Sequence, residues 1–195
     1  MVHDFGLTLI DVVNDTVLKS WSRGANQNGP FLPNTSPADI VIIGEVLHYS
    51  LQRGSSGWAS NDDIYRIYID NNTSATTIDA GSRLGTSGVV MGIGAVGDEL
   101  WIGVRPTQFW NNGDGTIVRW NASNESWAEN LATIGNVQRV NARFLGDCFP
   151  LDPASCEMWV AYGDNIMRRF QADNMTLLDE WNDIDGPIRG MEEWN

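Results

Sequence analysis

Short runs in which apolar and polar residues alternate recur along the whole chain, separated by segments rich in Gly, Asn and Asp. Alternation sends successive side chains to opposite faces of an extended strand, so each run predicts a β-strand. The clearest set of four is Val89–Ala95, Glu99–Val104, Thr116–Trp120 and Ser126–Leu131. A second set is Val137–Phe144, Glu157–Tyr162, Ile166–Phe170 and Thr176–Trp181. An earlier set is Asp39–Ile43, Val46–Leu51, Ile64–Ile69 and Ala75–Ile78. The separators carry the turn residues that hairpins require. No segment holds a 3.6-residue apolar period, so almost no helix is expected.

Four turn segments repeat behind an apolar anchor: Ile10-Asp-Val-Val-Asn14, Ile69-Asp-Asn-Asn-Thr73, Trp120-Asn-Ala-Ser-Asn124 and Phe170-Gln-Ala-Asp-Asn174. The anchors are 59, 51 and 50 residues apart. A period near fifty residues, built of short strands, predicts one four-stranded sheet per repeat. The expected fold is therefore all-β, a β-propeller of about four four-stranded blades forming an incomplete ring, a half-ring or a fragment of a larger ring. It reads as one domain over 1–195, with a blade remnant at 6–21, blades at 38–80, 89–132 and 137–182, and a closing strand at 187–191. With strands a to d numbered along each blade, Gly6–Ile10 reads as a strand c, Val17–Trp21 as a strand d and Pro187–Met191 as a strand a. That makes fifteen strands. Either the closing strand completes the first blade within one chain, or two chains form a homodimer that completes the ring; the low strand number favours the two-chain ring or a longer parent chain.

Composition narrows the partners. The net charge is −13, and Lys19 is the single lysine beside eleven arginines. Nucleic acid is a poor partner for such a chain, because phosphate binding needs a basic face. No apolar run is long enough to span a membrane, and Met1–Gly6 lacks the pattern of a signal peptide. Cys148 and Cys156 bracket a short proline-containing segment. A disulfide is the expected state, two free thiols the alternative. Seven Asn-x-Ser/Thr sequons occur, of which Asn14, Asn121, Asn124 and Asn174 fall on c–d turns as candidate glycosylation sites. Turn chemistry alone also produces such triplets. Disulfide and sequons together point to an extracellular or cell-surface location.

Asp98-Glu-Leu-Trp-Ile-Gly-Val, followed by Gly-Asp-Gly-Thr-Ile-Val-Arg-Trp-Asn, resembles the repeat of two-component-regulator propellers. Glu157-Met-Trp-Val-Ala with Ile166-Met-Arg-Arg-Phe-Gln is a weaker copy, and Val46-Leu-His-Tyr-Ser departs from it by lacking the Trp. The resemblance implies a sensing or protein-binding propeller and carries over no catalytic residue.

Other motifs are weaker. Gly92-Ile-Gly-Ala-Val-Gly97 has dinucleotide-binding spacing, but a strand follows where that motif needs a helix, so a hairpin is expected. Asn111–Gly115 and Asn182–Gly186 are acidic turns with Trp at the first position of a calcium loop, so no metal is expected. His3 and His48 are the two histidines, and His48 reads as a packed strand residue. No catalytic residue and no cofactor are assigned.

One constellation stands out once propeller topology is assumed. Arg53 and Arg105 end b strands, while Arg139 and Arg189 begin a strands fifty residues apart, so all four approach the end where b–c and d–a loops open. Trp58, Phe109 and Trp110 lie in the b–c loops there. Guanidinium groups with aromatic rings suit an anionic saccharide or an acidic peptide. The expected function is a non-enzymatic extracellular binding module with that surface as its ligand face. An extracellular polysaccharide lyase or hydrolase, with acids converging at the channel, is one alternative; a structural surface component is the other. The Arg cluster could equally serve to satisfy acidic neighbours.

Overall fold

Short turns at Gly44–Glu45, Gly97–Asp98, 12–15 and 122–125 join strands that are neighbours in sequence and pair them in space. A computed structural model of the chain describes residues 2–3, 6–22, 37–51, 63–70, 76–85, 88–106, 114–129, 132–136, 143–148, 156–162 and 166–185. These form four antiparallel sheets. The first sheet is β1 (Val2–His3), β2 (Gly6–Asp11) and β3 (Thr16–Ser22). The second is β4 (Pro37–Ile43), β5 (Val46–Leu51), β6 (Asp63–Tyr68) and β7 (Ile78–Asp79). The third is β8 (Gly88–Val96), β9 (Glu99–Pro106) and β10 (Asp114–Asn121), with β11 (Ser126–Trp127) and β12 (Ala132–Asn136) both paired to β10. The fourth is β13 (Arg143–Asp147), β14 (Glu157–Tyr162), β15 (Ile166–Gln171) and β16 (Leu177–Trp181).

One short helix, α1 (Ala80–Leu84), links the second sheet to the third. Asp79 caps it by accepting from the Ser82 amide, and Gly85 ends it at φ 65°. From α1, Arg83 donates to the carbonyls of Ala128 (3.1 Å) and Glu129 (3.0 Å), beyond β11.

Several details depart from the sequence reading. The outer strand of the third sheet, expected as Ser126–Leu131, is split into β11 and β12. The described first strand of the fourth sheet is Arg143–Asp147, and residues 137–142 of the expected Val137–Phe144 strand lie outside the described residues. The first sheet gains β1, paired Val2↔Leu7 and His3↔Gly6, because a two-residue strand carries no detectable alternation. The described strands number sixteen, and the proposed closing strand 187–191 lies outside the described residues.

Alternation sorts each sheet's side chains into two apolar faces, and the sheets stack in chain order. Leu9 of the first sheet packs with Leu47, Tyr49 and Ile67 of the second. Ile43, Ile64 and Ile78 of the second meet Leu100, Ile102, Val118 and Trp120 of the third. The other face of the third, carrying Trp101 and Ile117, meets Met158, Val160 and Phe170 of the fourth. The first strands of the third and fourth sheets approach to backbone distance. A Cβ on Gly94 would lie 2.3 Å from the Phe144 Cβ, and one on Gly146 would lie 2.1 Å from the Ala95 carbonyl oxygen. Gly97, at φ 55°, turns β8 into β9. The Gly92–Gly97 segment is thus a strand with a turn, and its glycines serve sheet contact and the turn rather than a phosphate.

Cys148 and Cys156 form a disulfide with Cα atoms 4.1 Å apart. It sits one step beyond the Asp147↔Glu157 pair and staples the loop joining β13 to β14, as expected.

A candidate binding cleft and the arginines between sheets

Three backbone hydrogen bonds mark one place in three sheets: Ile69 N to Glu45 O, Ala122 N to Asp98 O, and Ala172 N to Cys156 O. Ile69 therefore matches Ala122 and Ala172, not the anchors Trp120 and Phe170. The anchor of the second sheet is Ile67, two residues earlier than the sequence reading placed it. With this correction Arg66, Arg119 and Arg169 become equivalent, each on a third strand. Their cross-strand partners on the second strands are His48, Trp101 and Trp159.

The turns after these strands also repeat. Asp15, Glu125 and Met175 occupy one position, with φ of 52°, 53° and 59°. Asp11 Oδ1 accepts from the amides of Val13 and Asn14, and Asn121 Oδ1 accepts from those of Ser123 and Asn124. The sequon asparagines serve these turns. Asn14 donates to Asp11 (2.7 Å), Asn124 accepts from the Ser126 hydroxyl, and Asn174 accepts from the Thr176 amide. Hydrogen bonds from Asn14 and the turn amides hold the Asp11 carboxyl below its ordinary value.

Arginines carry the second sheet onto the turn of the third, and the third onto the turn of the fourth. Arg66 Nε donates to the Thr76 carbonyl (2.6 Å), while Nη1 pairs with Glu125 of the third sheet's turn (2.8 Å). Its guanidinium lies 4.9 Å from the Trp120 ring centroid. Arg119 pairs with Glu99 in its own sheet (2.8 Å) and donates to the carbonyls of Ala172 and Asp173 in the fourth sheet's turn. It also lies over the Trp101 ring. Both side chains are buried, 8% and 4% exposed. Lys19 makes the corresponding reach from the first sheet, donating to the Asp70 carbonyl (3.0 Å).

Between the second and third sheets this arrangement leaves a cleft of about 300 Å³. It opens at the end where the a–b and c–d turns lie. His48, Arg66 and Trp120 form its inner wall; Tyr68, Asp98, Ser123 and Glu125 stand nearer the mouth. Asp98 accepts from the Ser123 hydroxyl (2.6 Å). His48 is buried, and neither ring nitrogen has a hydrogen-bond partner among the described residues. Burial, and then the Arg66 charge, push its pKa down to about 4. The Val46 backbone pulls weakly the other way, without the geometry of a hydrogen bond. The imidazole is neutral and packed, as its strand position suggested.

Of the expected ligand face, only Arg105 falls among the described residues. Arg105 is half-buried near the end of β9, away from the turn end, and pairs across to Val89. Arg53, Arg139, Arg189, Trp58, Phe109 and Trp110 lie outside the described residues. Asn14, Asn121, Asn124 and Asn174 all sit at the turn end, at the same end as the cleft mouth. Among the described residues, no group of three His, Cys, Asp or Glu is placed to hold a metal ion. No described helix is long and apolar enough to cross a membrane. Sequence reasoning missed the cleft, although the Arg66, Arg119 and Arg169 spacing, each just before an apolar anchor, carried a signal for it.

No protein-family model matches the chain, and no curated protein matches it. Among solved structures, the computationally designed Ika4 protein matches with a TM-score of 0.54 at 7% identity, covering 83% of this chain and 81% of that one. The computationally designed Ika8 protein matches with a TM-score of 0.57 at 8% identity, covering 98% of this chain and 60% of that one. At such identities the likeness is one of fold alone.

Proposed function

We propose that this chain is a non-enzymatic, extracellular binding module of the β-propeller type, each of the four sheets being a blade or part of one. The repeated turn, the stacking of sheets in chain order and the resemblance of Asp98–Asn121 to propeller repeats support the architecture. The disulfide supports an oxidising compartment.

The observation that carries the binding reading is the cleft between the second and third sheets. Its volume suits a small polar ligand. Carboxylates of Asp98 and Glu125, the Ser123 hydroxyl and the Arg66 guanidinium surround it with donors and acceptors, and exposed Tyr68 offers a ring. Two carboxylates beside one guanidinium favour a hydroxyl-rich, uncharged saccharide over an anion. The second reading keeps the opposite end, around Arg105, for an anionic saccharide or acidic peptide. It rests on Arg105, which stands at the end of the third sheet away from these turns.

A glycan array followed by calorimetry separates the two. Tyr68→Ala with Glu125→Gln should lower affinity for a neutral glycan at least tenfold while Arg105→Ala leaves it unchanged. The reverse pattern, on uronate or sulfated polymers, favours the Arg105 end. Absence of binding to neutral and acidic glycans and to acidic peptides defeats both.

A further inference from the structure

The fourth sheet carries the same inter-sheet face as the second and third, yet the chain leaves that face half open. Arg169 stands where Arg66 and Arg119 stand, and Trp159 where Trp101 stands. Trp101 is fully buried by the fourth sheet; Trp159 is only half-buried. Arg169 is 31% exposed, against 8% and 4% for its counterparts. It turns back on its own sheet, pairing with Glu157 (3.3 Å) and Asp179. Its guanidinium covers Trp159, which stacks on Trp181 with ring centroids 5.4 Å apart.

The matching half of the contact is also present and also open. Turns after the third strands receive the arginine of the preceding sheet. In the fourth sheet's turn, Ala172 and Met175 are buried against Trp101. In the first sheet's turn, Val12 occupies the place of Ala172, yet it is 87% exposed, as is Val13. Asp15 occupies the place of Glu125, the carboxylate that meets Arg66. Within one chain the donor face and the acceptor turn stay apart.

We infer that the two meet between chains: the first-sheet turn Asp11–Thr16 of a second copy seats on the Trp159–Arg169–Trp181 face. Arg169 then reaches the carbonyls of Val12 and Val13 or the carboxylate of Asp15, and Val12 packs on Trp159. Two such contacts related by a twofold axis join eight sheets and leave neither surface exposed. The inference is independent of which end binds ligand.

Light scattering and sedimentation on the full chain test it. The chain should run at twice its own mass, with Trp emission shifting to the blue as dimer forms. Asp15→Arg and Arg169→Glu should each weaken the dimer by roughly a hundredfold through two like-charge contacts. Mixed together, the two variants should form a heterodimer, because one contact is then reversed in sign and the other is unaltered. Val12→Asp, on a residue open to water in the single chain, should abolish the dimer without changing the far-ultraviolet circular dichroism. A wild-type chain that stays monomeric at high concentration overturns the inference. So does a mixture that fails to associate while both variants remain folded, or a dimer indifferent to Val12→Asp.

Discussion

Lowering the pH from 7 to 5 should weaken the fold through one side chain, His48. Its imidazole is 1% exposed, lies beside Arg66 and faces Trp120 at 6.1 Å between ring centroids. Asp98, Glu125 and Tyr68 stand farther out along the same cleft. The unfolded chain takes up a proton near 6.5, whereas burial holds the folded imidazole neutral down to about 4. Between those values the unfolded state binds the extra proton, so stability falls as pH falls. At 1.36 kcal/mol per pH unit the whole window amounts to about 3 kcal/mol, of which about 2 kcal/mol is lost by pH 5. With a urea slope near 2 kcal/mol/M, the unfolding midpoint should drop by about 1 M between pH 7 and pH 5. The carboxyls of Asp11 and Glu180 are held below their ordinary values of 3.8 and 4.5, so their contribution disappears only at lower pH. His48→Leu removes the titration and keeps the volume, and its midpoint should stay level over the same range. The reasoning fails if the wild-type midpoint is flat from pH 7 to 5, or if the leucine variant keeps the slope.

Arg119→Ala strips a buried guanidinium from Glu99, two turn carbonyls and the Trp101 ring. It should cost about 3–5 kcal/mol in urea unfolding, whereas Arg169→Ala, at the same register in the fourth sheet, should cost far less at concentrations too low for association. Equal losses at the two positions would refute the distinction between the covered and the open face. Replacing Cys148 and Cys156 by Ser should lower stability by about 2–3 kcal/mol through the freed short loop. Unfolding that is insensitive to this pair, or to reduction of the wild type, would show the staple to be idle.

The strands were legible because their alternation is local. Glu99–Val104 and Glu157–Tyr162 read as strands before any partner was known, and Asn121 and Gln171 begin turns that fold on themselves. The frame of the second sheet was harder. Ile69 looks like an anchor because an acidic residue and two Asn follow it, but its amide bonds to Glu45 and leaves Ile67 in the anchor position. Only the register with β5 distinguishes them. The split between β11 and β12 was hidden for a similar reason: the carbonyls of Ala128 and Glu129 are taken by Arg83, forty-five and forty-six residues away. The cleft draws on four strands and three turns of two sheets, and no window of sequence contains it. The Arg residues expected at a ligand face stand at strand ends and the aromatic residues in loops, where a sequence carries its weakest geometric information.

Gly94 and Gly146 touch the neighbouring strand with bare backbone, and this fixes more than a local fit. The two sheets are pinched together along their first strands while Trp101, Met158 and Phe170 prop them apart farther out. Sheets set at such an angle describe an arc, and the angle determines how many sheets complete the circumference. A methyl group at either glycine would lift the pinched edge and open the arc, so the same strands would need more members to close. In the ring proposed above, the number of sheets would thus be a trigonometric property of two absent side chains, adjustable without altering a single turn.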